Sequence, residues 1–541
     1  MVDPSFFGTD GIRGRTSLET MDEEASLNAL LVDRTLTPTF MRVLGEALSY
    51  VQPSMPGEGR TVVIGWDRRP HNAALVEALT LGLRLTGSTV VHVGDAATPT
   101  LHAAVIEHRA RMGCMITASH NPVSDSGIKV FDAHGYKSTR ALEDEISRTV
   151  HQLSGEDREV DQIDQVALSR PDSERLAWGR DHHPAWLHKR WNHYESLLGG
   201  FDKALSAGTV AQPFLLDGAK GFASDWLASF LTHRGFVCEE VSGSAVALNE
   251  GCGAGDMSPT QVWTHEEAAS SNHALLRRLS PAPPGQWVGA ALDGDGDRCL
   301  LIEATASGFK VVDGDAMAAT ILEAGRGQPW SFAASIESDI ALSGRVAALH
   351  PNNQAQETAV GDRWLSFALR PAGGGLLTSS TMPLILGVED SGHLVMPAPT
   401  GKDDTWSLVG DGAASLIAVL MAANRRNDGA FVRGWKSRVS IANSHRERWH
   451  DQADIFNATA HALCEAFEGH GFHAGVRTIA GEDNLLLVHG TKGDQVASFG
   501  IRNSGTQAKT SLSVRLSPGV DPEPFKALLH RIKSDVERVL V

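Results

Sequence analysis

The 541-residue sequence is short of cysteine, of long apolar runs and of basic charge, and each shortage excludes something. Its five cysteines, Cys114, Cys238, Cys252, Cys299 and Cys464, are scattered, odd in number and without a Cys-x-x-Cys pair. That speaks against a disulfide framework or a zinc site, and for reduced thiols in a cytoplasmic protein. No apolar run is long enough to span a bilayer. A glycine-rich motif begins already at Gly8, where a secretory leader would stand, so neither export nor a membrane is expected. Lys and Arg number 48 against 65 Asp and Glu, a formal charge of −17. A sequence-independent nucleic-acid binder would need a basic footprint, so none is expected. An anionic substrate remains open, because a local basic pocket can outweigh the global field.

What is present is an ordinary soluble composition, 42% hydrophobic and 21% charged, in a chain too long for one core. Three or four domains are expected. Strands at 61–64, 89–93 and 112–116 alternate with helices near 71–85 and 99–110, an order that implies a parallel sheet. Residues 154–185 are polar without a sustained period and read as a linker or surface excursion. A helical stretch near 184–198 leads to a strand at 214–217, a helix over about 221–234 and a strand from 235. A helix near 264–279 precedes the apolar strand Val288–Leu292. A third α/β region extends from about 305 to 430. The last hundred residues change style, with helices near 451–468 and 522–540 and strands near 484–489 and 510–516.

Four stretches carry chemistry besides the N-terminal one. Ser119, in Thr117-Ala118-Ser119-His120-Asn121-Pro122, follows the apolar run Met112–Ile116. It should therefore sit on a loop at a strand's carboxyl end, where open parallel sheets bind ligands. With His120 beside it and Lys129 ten residues on, it is a candidate nucleophile. Asp293-Gly294-Asp295-Gly296-Asp297-Arg298 is the most specific signal. Carboxylates at alternate residues of an extended segment share one side and can converge on a hard cation such as Mg²⁺, Mn²⁺ or Ca²⁺. An EF-hand would need glycine and glutamate where Arg298 and Ala304 stand, so that reading fails. Glu389-Asp390-Ser391-Gly392-His393 offers a carboxylate, a hydroxyl and an imidazole, a polyol-binding set. Arg502-Asn503-Ser504-Gly505-Thr506 combines an arginine fork with hydroxyls and amides about a glycine, a phosphate cradle. At the N-terminus, Gly8-Thr9-Asp10-Gly11-Ile12-Arg13-Gly14 can turn tightly and aim the Arg13 guanidinium at phosphate.

Together, in this order and at these intervals, the five stretches resemble the α-D-phosphohexomutase family, over nearly the whole chain from Gly8 to about Arg515. The resemblance implies three related α/β domains with mixed, mainly parallel sheets and a smaller C-terminal α+β domain around a cleft, drawn at 1–185, 186–304, 305–435 and 436–541. It implies a phosphoserine at Ser119 and one Mg²⁺ held by Ser119, Asp293, Asp295 and Asp297. Sugar hydroxyls would be read by Glu389 and Ser391, and phosphate gripped by Arg502, Ser504, Gly505 and Thr506. Arg13, His120, Lys129, Arg298 and His393 fall on positions suited to charge stabilisation or proton transfer, with Lys129 or His393 as the base. The implied reaction interconverts sugar 6- and 1-phosphates through a sugar 1,6-bisphosphate, in a monomer or homodimer. Motifs such as Asp125-Ser126-Gly127-Ile128-Lys129 and Val360-Gly361-Asp362-Arg363 look like the phosphoglucosamine mutase branch, which makes glucosamine phosphate the expected substrate, ahead of mannose or glucose phosphate. Gln507-Ala508 departs from that branch, where Glu-Pro usually follows the phosphate loop, removing a charge and a φ restraint. The rival readings are a sugar phosphatase using Asp293 as nucleophile and a non-catalytic sugar-phosphate binder.

Overall fold

Four β-sheets follow one another along the chain in the computed structural model, which describes residues 5–156, 160–200, 213–425, 431–504 and 509–541. The first sheet has seven strands. At its centre Met112–Ile116 lies between Thr61–Trp66, which it pairs in parallel, and Asp125–Asp132, which it pairs antiparallel. Met112–Ile116 is buried throughout, as expected of an apolar strand covered on both faces. Ile12–Thr16 pairs antiparallel with Asp125–Asp132, which brings the N-terminal glycine-rich turn beside the Ser119 loop. At Gly11 (φ 81°) a Cβ would stand 2.2 Å from the Ile128 carbonyl oxygen, so the close approach requires glycine.

The second sheet carries the acidic loop. Trp287–Leu292 runs parallel to Phe214–Asp217 and antiparallel to Cys299–Ala304. Gly308–Val312 pairs antiparallel with Cys299–Ala304, so this sheet runs on past residue 304. The third sheet sets Ile385–Val388 parallel to Ser331–Ser335 and antiparallel to Leu394–Pro399. The fourth is antiparallel throughout, with Trp435–Ala442, Lys509–Leu516, Gln495–Asn503, Leu486–Lys492 and His473–Arg477 in spatial order.

Several local expectations need correction. The segment read as a linker holds a helix, Gln162–Leu168, and the short strand Ser173–Glu174, which joins the edge of the first sheet. The helix that follows begins at Trp178 and continues to Leu198. The helix expected over 221–234 is broken at Trp226 (φ −139°), leaving a 3₁₀ turn and the short helix Leu227–Thr232. The one expected over 264–279 stops at Ala269. There Ser270, Ser271 and Asn272 follow, residues that compete with helix for backbone hydrogen bonds.

Candidate active site

Ser119 stands just past the end of Met112–Ile116, in left-handed backbone at φ 53°. A non-glycine residue holds that conformation only where its surroundings enforce it. Thr117 Oγ1 accepts from Ser119 N at 2.8 Å and donates to Asp67 Oδ2 at 2.6 Å. The buried Arg69 guanidinium donates to the carbonyls of Ser119 (2.8 Å), Asn121 (3.0 Å), Asp125 (2.8 Å) and Pro122. From the second sheet's side, Asn249 Nδ2 donates to Ser119 O at 2.7 Å. The backbone is clamped from two sides, and the side chain is left for chemistry. Ser119 Oγ accepts from Arg13 Nη2 at 3.1 Å and donates to Asp295 Oδ2 at 3.3 Å.

The acidic loop is a tight turn, not an extended segment. Gly296 has φ 70°, and its N–H donates to Asp293 O at 3.0 Å. Two of the three carboxylates, Asp295 and Asp297, meet on one ammonium, that of Lys129. Asp295 Oδ2 accepts from Thr98 Oγ1 (2.6 Å) and Lys129 Nζ (2.7 Å) as well as from Ser119. Asp297 meets Lys129 Nζ at 2.6 Å and His393 Nε2 at 2.9 Å. Asp293 faces Arg298 Nε at 3.0 Å, and Arg298 Nη2 contacts His120 Nδ1 at 3.0 Å. Ligand atoms of Asp293, Asp297 and His393 lie within 4.8 Å of one another, a buried group that could hold a metal ion. Among the described residues, buried Asp295 Oδ1 has no hydrogen-bond partner, and Asp293 Oδ2 has only its ion pair with Arg298. Acidic oxygens of that kind suit a hard cation.

Electrostatics sort these groups. Burial, with Asp297 and Asp295 nearby, pushes the Asp293 carboxyl up to about 7. Burial would raise Asp297 too, but Lys129, His393 and Lys137 outweigh it and hold Asp297 well below the carboxylate range. Both His393 nitrogens face carboxylates, Asp297 and, at 3.0 Å, Glu389. Against burial and Arg298 those carboxylates lift His393 to about 10, so it is protonated at neutral pH. Lys129 also resists burial, raised well above an ordinary lysine by Asp10, Asp295 and Asp297. His120 goes the other way: Arg298 and then burial hold it well below 6.5, so its ring is neutral.

The third-sheet loop locks onto this turn. Arg298 and His393 form an antiparallel bridge, and a Cβ on Gly392 (φ 96°) would lie 2.2 Å from the Cys299 carbonyl oxygen. Glu389 Oε1 accepts from Gly361 N at 2.6 Å, and Ser391 Oγ lies 3.2 Å from His393 Nδ1. One continuous chain of contacts thus runs Ser119–Asp295–Lys129–Asp297–His393–Glu389. Arg502 sits apart from it, with Nε and Nη2 each 3.1 Å from Glu337 Oε1. Ser504 N donates to Lys509 O at 2.8 Å. Gly505, Thr506, Gln507 and Ala508 lie outside the described residues.

Sequence reasoning passed over Asp10, Lys137 and Asp362, which extend the network. Lys137 Nζ meets Asp10 at 3.0 Å and Asp362 at 2.7 Å. Asp10 and Asp362 lie inside motifs already singled out, and the signal was there to be used. Asp67 and Arg69 carried none, since their role is set by a loop some 50 residues away.

Comparison with known proteins places the chain in a family. A model of the phosphoglucomutase/phosphomannomutase alpha/beta/alpha domain I matches residues 4–156. A phosphoglucosamine mutase of Salinispora tropica is 31% identical over 404 residues, covering 74% of this chain and 75% of that protein. In fold, a phosphoglucomutase/phosphomannomutase family protein of Burkholderia thailandensis superposes with a TM-score of 0.60, covering 99% of this chain and 97% of that one at 18% identity. The N-acetylphosphoglucosamine mutase of Aspergillus fumigatus, solved in complex with glucose 1,6-bisphosphate, does so at 0.52, covering 92% and 99% at 13% identity. The chain belongs to the phosphohexomutases, isomerases of sugar phosphates, and within them to the phosphoglucosamine mutase branch.

Proposed function

We propose that the protein interconverts glucosamine 6-phosphate and glucosamine 1-phosphate through a phosphoserine at Ser119 and a sugar 1,6-bisphosphate. The observation that carries this reading is Ser119 Oγ, held by a clamped left-handed backbone between the Arg13 guanidinium and Asp295. A phosphoryl group on that oxygen would carry roughly −1.5 to −2 charges. Arg13, Lys129 and Arg298 are the cations that offset it, and Arg69 and Asn249 keep its carrier from moving. Asp293, Asp295 and Asp297, with Ser119, would hold Mg²⁺, which supplies Lewis-acid neutralisation of the transferring group when bound.

Transfer breaks the P–Oγ bond and forms a bond from phosphorus to the sugar's free hydroxyl oxygen. The electron pair of the broken bond stays on Ser119 Oγ; Lys129 or His393, each held protonated by its carboxylate neighbours, can take the hydroxyl proton only as it gives up its own toward that oxygen. The bisphosphate then turns over, so that Ser119 recovers the phosphoryl group from the other end. Glu389 and Ser391 would read the sugar hydroxyls, and Arg502 with Ser504, Gly505 and Thr506 would hold the distal phosphate. Positioning and electrostatics do most of the work in such a transfer. The A. fumigatus relative in fold, solved with glucose 1,6-bisphosphate, supports the intermediate.

The test incubates the protein with Mg²⁺, a trace of sugar 1,6-bisphosphate and, in turn, glucosamine-, glucose- and mannose-6-phosphate. Fastest turnover is expected on glucosamine 6-phosphate, and none from a folded Ser119→Ala variant. Near-normal turnover by that variant would sink the phosphoserine. Release of inorganic phosphate, with label on Asp293, would favour a phosphatase.

A further inference from the structure

One face of the fourth sheet is polar from its edge inward. Lys436, Arg438 and Ser440 alternate along Trp435–Ala442, and Ser511, Ser513 and Arg515 along Lys509–Leu516. Arg502 stands on the same face of Gln495–Asn503, opposite Ser511. The residues between them, Val439, Ile441, Leu512, Val514, Phe499 and Ile501, belong to the apolar core on the other side. The polar face looks toward carboxylates of the third region. Lys436 Nζ meets Asp315 at 2.8 Å and Asp390 at 2.9 Å, and Arg515 Nη1 meets Glu357 at 2.9 Å.

Glu337, like Glu357 between Arg515 and Arg477, gives its two oxygens to two different arginines. Oε1 takes Arg502, and Oε2 takes Arg438 Nη2 at 2.8 Å. The two arginines flank the strand Lys509–Leu516 two residues out of step, opposite Ser513 and Ser511, so their backbones stand about 12 Å apart. Ser511 and Ser513 stand on that strand between them, with Lys509 further along the same face. Arg438 and Glu337 line a cavity of about 250 Å³, together with Asp390, Lys436 and Ser513. Arg438 keeps 37% of its side chain exposed, whereas Arg515, wedged against Glu357, keeps 3%. Arg438 is within reach of a ligand. A carboxylate spread across two guanidinium forks occupies the place that two phosphate oxygens would take, with less charge and one oxygen fewer.

We infer that Arg438 is a second phosphate-gripping arginine beside Arg502, and that Glu337 is an internal carboxylate which holds the pair until a phosphorylated ligand displaces it. The inference rests on the sugar-phosphate reading above. Although burial opposes its charge, Arg502 and Arg438 keep Glu337 ionised down to about pH 2, so it competes for them throughout the neutral range.

The test measures inorganic phosphate binding by calorimetry, and KM and kcat with glucosamine 6-phosphate, for single and double variants of the full chain. Arg438→Gln should weaken phosphate about tenfold and raise KM similarly while kcat stays within about twofold. Arg438→Lys, which keeps the charge and the docking contact, should fall between. Glu337→Gln should tighten phosphate several-fold. The deciding comparison is made in the Glu337→Gln background, where Arg438 has lost its main internal partner. A further loss on adding Arg438→Gln supports direct contact with phosphate. Unchanged affinity would reduce Arg438 to a docking residue and overturn the inference. Phosphate binding is read without turnover. An Arg438-dependent phosphate site in a protein inert toward every sugar phosphate would therefore sink the mutase reading and leave the arginine pair standing.

Discussion

Ser119 owes its geometry to residues that hold its loop by the backbone. Arg69 gives its two Nη groups to four backbone carbonyls of the serine loop and its Nε to Asp67, which in turn accepts from Thr117, and so it acts on the loop's orientation. Arg69→Gln keeps some donors but loses the fork, and the loop can then relax from φ 53°. A displacement of about 1 Å at a reacting atom costs on the order of 10²-fold in rate. We expect Arg69→Gln to lower kcat by that order with KM little changed, as steady-state kinetics would show; a change confined to KM would contradict a positioning role. Away from the site, Glu240 offers a pH test. Burial raises it to about 7, against 4.5 for an exposed glutamate, and its Oε2 has no hydrogen-bond partner among the described residues. Its contribution to stability is full below pH 4.5 and lost as pH rises through 7. Glu240→Gln carries no charge to bury, so its melting temperature should gain on the wild type between pH 5 and pH 8. The gain should correspond to on the order of 2 kcal/mol, and a constant difference across that range would contradict the buried charge.

At the scale of elements, what the sequence made legible was whatever carried its own period or its own motif. The apolar run Met112–Ile116 announced a buried strand, and the Asp-Gly repeat announced a carboxylate cluster beyond another. The partners of those carboxylates were not legible, because Gly296 bends the loop, bringing Asp295 and Asp297 together on Lys129 and Asp297 also to His393. Ser173–Glu174 is two residues long, and Gln162–Leu168 has no buried residue, so neither shows a hydrophobic period. The bond from Arg502 to Glu337 crosses 165 residues and has no local trace at all. Trp178–Leu198 gives a prediction of its own, since it runs on through Pro184. A proline inside a helix lacks the N–H for the preceding turn and crowds its carbonyl. Pro184→Ala should therefore stabilise the protein, by on the order of 1–2 kcal/mol once the looser unfolded chain is allowed for. Thermal unfolding would read it as a rise in melting temperature, and a fall would mean that the ring's packing outweighs the lost hydrogen bond.

Across the whole molecule, that same helix ties distant parts of the chain together. Arg190, fully buried on it, donates Nη1 to Asp411 Oδ2 at 2.6 Å. Asp411 caps the buried helix Gly412–Ala422, accepting from Ala414 N at 3.0 Å. Trp186 and Tyr194 lie 5.1 and 5.8 Å from the guanidinium, and Tyr194 OH accepts from Arg190 Nε at 3.2 Å. Neither charge has access to water, so the pair's net worth is the small difference between its attraction and the desolvation of both ions. Removing one partner is another matter, because it strands the other charge in the interior. Arg190→Met should cost about 3–5 kcal/mol. Arg190→Met with Asp411→Asn removes both charges, keeps a side chain that can cap the helix and fills the arginine's space with an unbranched apolar chain. The double variant should recover most of the loss. Denaturant unfolding of the wild type, the single variant and the double variant measures the difference directly. A double variant no more stable than Arg190→Met would show that the hydrogen bonds and ring contacts of Arg190, not the charge of Asp411, hold this helix against the rest of the molecule.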